Sequence, residues 1–147
     1  NNIPFPEMLH ILRDVALGLE AAHASSVIHR DLKPANTMLT PIEQLGGNPV
    51  GDNPADPSPS RAVLLDFGLA RDMVRGITVT QVNFTAGTPE YMSPEQHHRK
   101  RKLDTRTDIY SFGILAFEMA TGKPPFSKPG HQAVAIQHLT EPMPRIS

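Results

Sequence analysis

The sequence contains no cysteine, which excludes disulfides and thiolate metal sites. A reducing compartment fits that absence without being required by it. An excess of charge of one sign is also missing. The formal net charge is −1, so nothing draws the chain as a whole toward nucleic acid or an anionic membrane. No apolar run is long enough to cross a bilayer. The best stretch, "IYSFGILAFEMA", already includes Glu118 and falls short of the ~20 residues a spanning helix needs. The opening "NNIPFPEML" has neither a basic region nor an apolar core, so it is not a signal peptide. Lacking an initiator Met, it reads as the inside of a longer chain. No internal repeat is visible.

What is present is a chain of 147 residues, enough for one domain. Hydrophobic residues make up 39%, below the ~45–50% of an average globular domain. Proline occurs 15 times, about twice the usual share. Together these point to a loop-rich domain with an ordinary core, or to part of a larger one.

Periodicity organises the chain. Residues 6–25 read as a helix, with Pro6 suited to the first turn and Glu7 to the positive end of the helix dipole. Its apolar face is expected to carry Met8, Leu9, Leu12, Val15, Ala16, Leu19 and Ala22. Short extended segments are expected at "VIH" and "TML", and a strand at "RAVLLDFG". Between them, residues 41–60 hold five prolines, three glycines and no basic residue. A segment so poor in apolar groups cannot offset its ordering entropy and is expected to be a mobile insertion. Residues 70–95 read as a long functional loop. Residues 105–121 form a second helix closed by Gly122. Its apolar residues Ile109, Phe112, Ile114, Leu115, Phe117 and Met119 lie nearly all round, as in a central buried helix. A shorter helix, about 130–139, follows.

Two polar clusters interrupt this pattern. "HRDLKPAN", residues 29–36, crowds Arg30, Asp31, Lys33 and Asn36 into a loop. "LLDFGLA" places Asp66 at a strand exit beside Gly68. Alone, the first cluster could be a solvated turn with internal charge pairs. Facing the second, it would supply oxygen ligands suited to a hard cation such as Mg²⁺, which is commonly held by one or two carboxylates plus substrate phosphates.

These clusters resemble the catalytic loop and the metal-binding motif of the eukaryotic-type protein kinases. "GTPEYMSPE" resembles the end of their activation segment, and "DIYSFG" the start of their central C-lobe helix. The resemblance spans residues 5–146 and is strongest to bacterial receptor-type Ser/Thr kinases. It implies an α+β protein-kinase-like fold, represented by the mainly helical C-terminal lobe. The N-terminal β-lobe and the last C-lobe helices are expected to lie outside these residues, which form one partial domain, 1–147. It implies ATP and Mg²⁺ as cofactors and a protein Ser/Thr hydroxyl as acceptor.

Residue by residue, the resemblance makes Asp31 the acceptor of the substrate hydroxyl's proton and Lys33 the cation that neutralises the transferring phosphoryl group. Asn36 and Asp66 become metal ligands, and Met38 the floor of the adenine pocket. Thr88 would brace Asp31 and Lys33. His29 and Phe67 would stack, Asp108 would hold the catalytic loop's backbone, and Glu95 would be a buried carboxylate awaiting an arginine. Without that arginine an uncompensated buried charge would cost about 3–5 kcal/mol. Ser93 stands where the family usually has alanine, and the 41–60 insertion lengthens the path from Asn36 to Asp66. It should loop out at the surface, since both anchors must reach the same metals.

Arg30 before Asp31 matches kinases switched by activation-loop phosphorylation. Thr78, Thr80 and Thr85 are candidates, with Thr80 best matched to bacterial relatives. The partners implied are ATP, a protein substrate and a second copy for trans-autophosphorylation, with no nucleic acid and no membrane segment in this chain. The location implied is cytoplasmic, including as the cytoplasmic domain of a membrane-anchored parent. A truncated or inactive kinase lobe acting as a binding module is the alternative, and a small-molecule phosphotransferase is disfavoured by "SPE" and "DIYSFG". Other features have plainer readings. "HHRKRK" at 97–102 is a solvated loop, His131 and His138 are surface residues, His10 and His23 carry no signal, and Tyr91 is structural.

Overall fold

The computed structural model describes residues 3–41, 60–67, 88–97 and 103–146. The first helix, α1, spans Phe5–Ala24, with Pro6 and Glu7 in its first turn. It buries Met8, Ile11, Val15 and Leu19, a narrower stripe than the spacing of apolar residues suggests. Leu9, at 49% exposure, faces outward, as does Ala16, while Ile11 replaces Leu12 in the seam. The helix ends in a Schellman turn. The Val27 N–H donates to the Ala22 carbonyl and the Ser26 N–H to the His23 carbonyl, each at 2.9 Å. Ser26 occupies the left-handed position, φ 60°, where glycine is usual.

Two strands follow the "HRDLKPAN" loop, β1 (Thr37–Pro41) and β2 (Ser60–Leu64). They pair antiparallel from Thr37↔Leu64 to Pro41↔Ser60. The segment expected to be mobile falls, but for its end residues, outside the described residues. Those ends, Pro41 and Ser60, are register partners. The sheet rests on α1. Gly18 lies so close to β2 that a Cβ there would sit 3.1 Å from Leu64. Polar ties reinforce the contact, with the Ala62 N–H donating to Asp14 Oδ2 at 3.0 Å and His10 Nε2 lying 3.0 Å from the Ser60 carbonyl.

The second long helix, α2, spans Arg106–Thr121. Asp104 accepts the Arg106 N–H at 2.8 Å, and Gly122 closes the helix at φ 80°. Leu115 packs with Ile11, Val15, Leu19, Leu32 and Ala62 in one cluster, while Ile114 packs with Phe126 and Val134 in another. The helix is central, joining two cores, but not apolar all round. Ile109 is 58% exposed and Gly113 and Ala120 share that outward side. Its first two turns instead bury Thr107, Asp108 and Ser111.

The last helix, α3, spans His131–Thr140 and buries Val134, Gln137 and His138. His131 is exposed, as expected, whereas His138 is 5% exposed and belongs to the interior. Its Nδ1 lies 2.8 Å from the Tyr110 hydroxyl, and its ring packs edge-on against Phe126. Burial first, then neighbouring His97, push its pKa down to about 4. The Pro89 and Glu90 carbonyls act in the opposite sense without reaching hydrogen-bond geometry at Nε2. Ring stacking and a neutral imidazole make this histidine a core residue. No described helix is long and apolar enough to cross a membrane.

Ser26 and Gly122 offer matched tests of the backbone argument, because both sit at positive φ after a helix. A Cβ at Gly122 would meet nothing within 4 Å, so its cost is conformational alone. Ser26→Gly should raise the unfolding free energy and Gly122→Ala lower it, each by about 1 kcal/mol, read as opposite shifts of the denaturant midpoint.

Candidate active site

The site is built around the buried carboxylate of Asp108. Its place in the first turn of α2 suits a negative charge. Oδ2 accepts the His29 N–H at 2.9 Å, and Oδ1 accepts the Arg30 N–H at 2.8 Å. His23 Nε2, from the last turn of α1, lies 2.7 Å from the same Oδ2. One fully buried side chain therefore joins two helices to the loop that carries Asp31. Arg30 is held at φ 66°, a conformation that side-chain-bearing residues adopt only when surroundings impose it.

His29 is fully buried and ties the two polar clusters together. Its Nε2 lies 3.0 Å from the Leu65 carbonyl, and its Nδ1 accepts the Asp31 N–H at 3.3 Å. Those partners fit the neutral tautomer with the proton on Nε2. The ring packs on Phe67, centroids 4.8 Å apart. The two ring planes are inclined at 50°.

Asp31, Lys33 and Asn36 form one hydrogen-bonded group. Lys33 Nζ lies 2.8 Å from Asp31 Oδ2. Asn36 Nδ2 donates to the Asp31 carbonyl at 2.8 Å and to Asp31 Oδ2 at 3.1 Å. With both donor hydrogens turned toward Asp31, the Asn36 Oδ1 is the atom left to face a cation. The strand register then brings in Asp66. The Leu65 N–H donates to the Asn36 carbonyl at 2.9 Å, one step beyond Thr37↔Leu64, so Asp66 emerges next to Asn36. Asp66 is exposed and strained, at φ 53°. Met38 lies on β1, 46% exposed. Oxygen donors of this kind suit a hard cation such as Mg²⁺, and Asn36 and Asp66 are the residues that would be available to hold one. Among the described residues no group of three or more His, Cys, Asp or Glu forms an all-protein cage.

The segment 88–97 covers the other side of the loop. Pro89–Tyr91 and Pro94–His97 are short 3-10 turns. The Thr88 carbonyl accepts the Tyr91 N–H at 3.2 Å, and among the described residues its hydroxyl forms no hydrogen bond to Asp31 or Lys33. The Tyr91 hydroxyl donates to Glu118 at 2.6 Å; burial, then that carboxylate, hold its pKa well above the ordinary range. The Ser111 hydroxyl donates to the Tyr91 carbonyl at 2.7 Å.

Glu95 differs from the expectation of a stranded buried charge. It is only partly buried and accepts the Thr107 hydroxyl at 2.8 Å. Burial works against its ionised form, but hydrogen bonds from Thr107, its own backbone N–H and Ser93 outweigh that and lower its pKa. Thr78, Thr80, Thr85 and residues 98–102 lie outside the described residues.

Three contacts around the site have no sufficient signal in the sequence. His23 sits among helical residues without a pattern, Thr107 precedes the more conspicuous Asp108, and Gln96 follows "SPE" as an unremarked amide. The first two are recognisable only once α2 is in place, and the third only once the 93–97 turn meets the Arg30 carbonyl at 2.8 Å.

Residues 2–146 match the protein kinase domain family. The chain is 37% identical over 140 residues to serine/threonine-protein kinase pkn3 of Myxococcus xanthus, covering 93% of this chain and 23% of that protein. It is 36% identical over 144 residues to serine/threonine-protein kinase PknB of Mycobacterium leprae, covering 97% of this chain and 20% of the relative. Against the probable serine/threonine-protein kinase PknB of Corynebacterium glutamicum it is 40% identical over 136 residues, 92% of this chain and 18% of the relative. The fold and the family match define the class, a protein kinase domain. The chain belongs to the protein kinase domain family and resembles bacterial serine/threonine kinases. It spans roughly a fifth of the length of these curated relatives.

Asp108→Ala removes the acceptor of two backbone N–H groups and the partner of His23 at once. Each buried donor left unsatisfied costs about 1–3 kcal/mol. Asp108→Ala should lower the unfolding free energy by about 3–5 kcal/mol, measured by denaturant titration, with Asp108→Asn intermediate.

Proposed function

We propose that this chain is the catalytic-loop half of a serine/threonine protein kinase, whose parent transfers the γ-phosphoryl group of ATP to hydroxyls of protein substrates. The observation that carries this reading is the single hydrogen-bonded unit formed by Asp31, Lys33 and Asn36, joined through the Asn36 carbonyl to the strand that ends at Asp66. Phosphoryl transfer asks a protein for positioning and charge rather than covalent chemistry, and this unit supplies both.

In this reading Asp31 orients the acceptor hydroxyl and takes its proton. Its carboxylate is steered by Asn36 and Lys33, so one oxygen is fixed and the other can face substrate. Lys33 offsets charge developing on the phosphoryl oxygens. Asn36 and Asp66 would hold Mg²⁺, which when bound would supply charge neutralisation on the phosphates. Exposed Met38 offers an apolar surface to the adenine. Thr88 braces Asp31 and Lys33. Arg30 and a phosphorylated Thr80 form the switch, and self-association permits phosphorylation between copies.

The 147 residues correspond to most of a C-terminal lobe and include no Gly-rich loop or strand lysine for the α- and β-phosphates. ATP turnover is therefore expected of the intact catalytic domain and not of these residues alone. In the full-length protein with Mg-ATP and a Ser/Thr protein substrate, Asp31→Asn should lower kcat by roughly 10²–10⁴ while ATP binding persists. Asp66→Asn should weaken Mg-ATP binding as well. A wild-type parent that binds Mg-ATP yet transfers no phosphate would overturn the kinase reading in favour of a binding module.

A further inference from the structure

We infer that Gln96 is a positioning residue for Asp31, acting through the carbonyl of Arg30; this rests on the phosphoryl-transfer reading above. Arg30 lies at φ 66°, and the peptide groups on either side of it must both be held for that conformation to persist. The group before it is held by Asp108, which accepts the Arg30 N–H at 2.8 Å. The group after it, the peptide that leads into Asp31, is held at both edges. Its N–H meets His29 Nδ1 at 3.3 Å, the longer and weaker bond. Its carbonyl accepts from Gln96 Nε2 at 2.8 Å.

Gln96 is itself fixed. Its Oε1 accepts the Ser93 N–H at 2.9 Å and the Ser93 hydroxyl at 3.2 Å, and Ser93 is fully buried. These partners settle the orientation of the carboxamide. Flipped, it would set NH₂ against an N–H and oxygen against a carbonyl. The amide therefore spans from the 93–97 turn to the loop, using donor and acceptor at opposite ends. Without it the peptide between Arg30 and Asp31 loses the shorter of these two bonds. It could then rotate about Arg30 ψ and Asp31 φ, swinging the Asp31 side chain off the position set by Asn36 and Lys33. The order of the segment ending at His97 is thereby linked to the geometry of Asp31 by one side chain.

The test uses the full-length protein carrying Gln96→Met, which keeps the length and loses all three bonds, and Gln96→Glu, which keeps the acceptor toward Ser93 but sets an oxygen against the Arg30 carbonyl. Steady-state kinetics and amide hydrogen exchange are read on each. Both variants should lower kcat roughly 10-fold, with KM for ATP within about twofold of wild type. The Asp31 amide should exchange roughly 10-fold faster, while amides of Arg106–Thr121 keep their wild-type rates. Unchanged kcat and exchange would overturn the inference. So would a fall in kcat with Asp31 exchange unaltered, or acceleration spread evenly through α2, which would mark a general loss of stability. If the wild-type parent transfers no phosphate, the kinase reading fails and exchange alone decides. Acceleration confined to the Arg30–Asp31 peptide would keep the clamp, and no acceleration would remove it.

Discussion

A single carboxylate, that of Asp108, fixes how the loop bearing Asp31 meets the rest of the molecule. It is fully buried and accepts from the His29 and Arg30 backbones and from His23. Burying a charge is costly unless its hydrogen-bonding capacity is filled, and here three donors from α1 and the loop fill it. The cost of removing the carboxylate from water and the ordering of the loop are therefore one event. Charge-assisted bonds of this kind contribute about 1.5–3 kcal/mol each, enough to hold Arg30 at positive φ against a penalty of about 1–2 kcal/mol. Helix α2 thus does more than pack. It carries, on its first turn, the anchor of the loop, and on the following turns the two cores that position α1, β2 and α3.

The β1–β2 ladder solves a second problem. Asn36 and Asp66 are separated by a long stretch of chain, yet each lies just outside the same short antiparallel pair. Once Thr37 is opposite Leu64, the Leu65 N–H reaches the Asn36 carbonyl and Asp66 can only emerge beside it. The length of chain joining Pro41 to Ser60 then enters as loop-closure entropy, which grows slowly with length. An insertion at that point leaves the two oxygen donors where the ladder puts them.

Much of this arrangement is legible in the amino-acid sequence. "HRDLKPAN", "LLDFG" and "DIYSFG" carry their chemistry in local spacing, and helix boundaries follow from Pro6 and Gly122 because caps are local. Burial is less legible. Leu9 and Ile109 are apolar and spaced like core residues yet point outward, since which stripe of a helix is covered depends on partners distant in sequence. His138 reads as a surface residue because polarity is a poor guide to burial when Tyr110 and Phe126 can enclose a neutral imidazole. Glu95 reads as a stranded charge because Thr107, its partner, becomes adjacent only through folding. His23 and Gln96 are silent for the same reason: their partners, the Asp108 carboxylate and the Arg30 carbonyl, lie far along the chain, and sequence does not display which group folding brings within reach.

The loop backbone is locked to α2 through Asp108, and amide hydrogen exchange at His29 and Arg30 measures that lock directly. Both amides should exchange only with global unfolding, as slowly as amides inside α2. Exchange at the rate of an exposed loop, while α2 stays protected, would show that Asp108 does not hold the loop and would contradict the account.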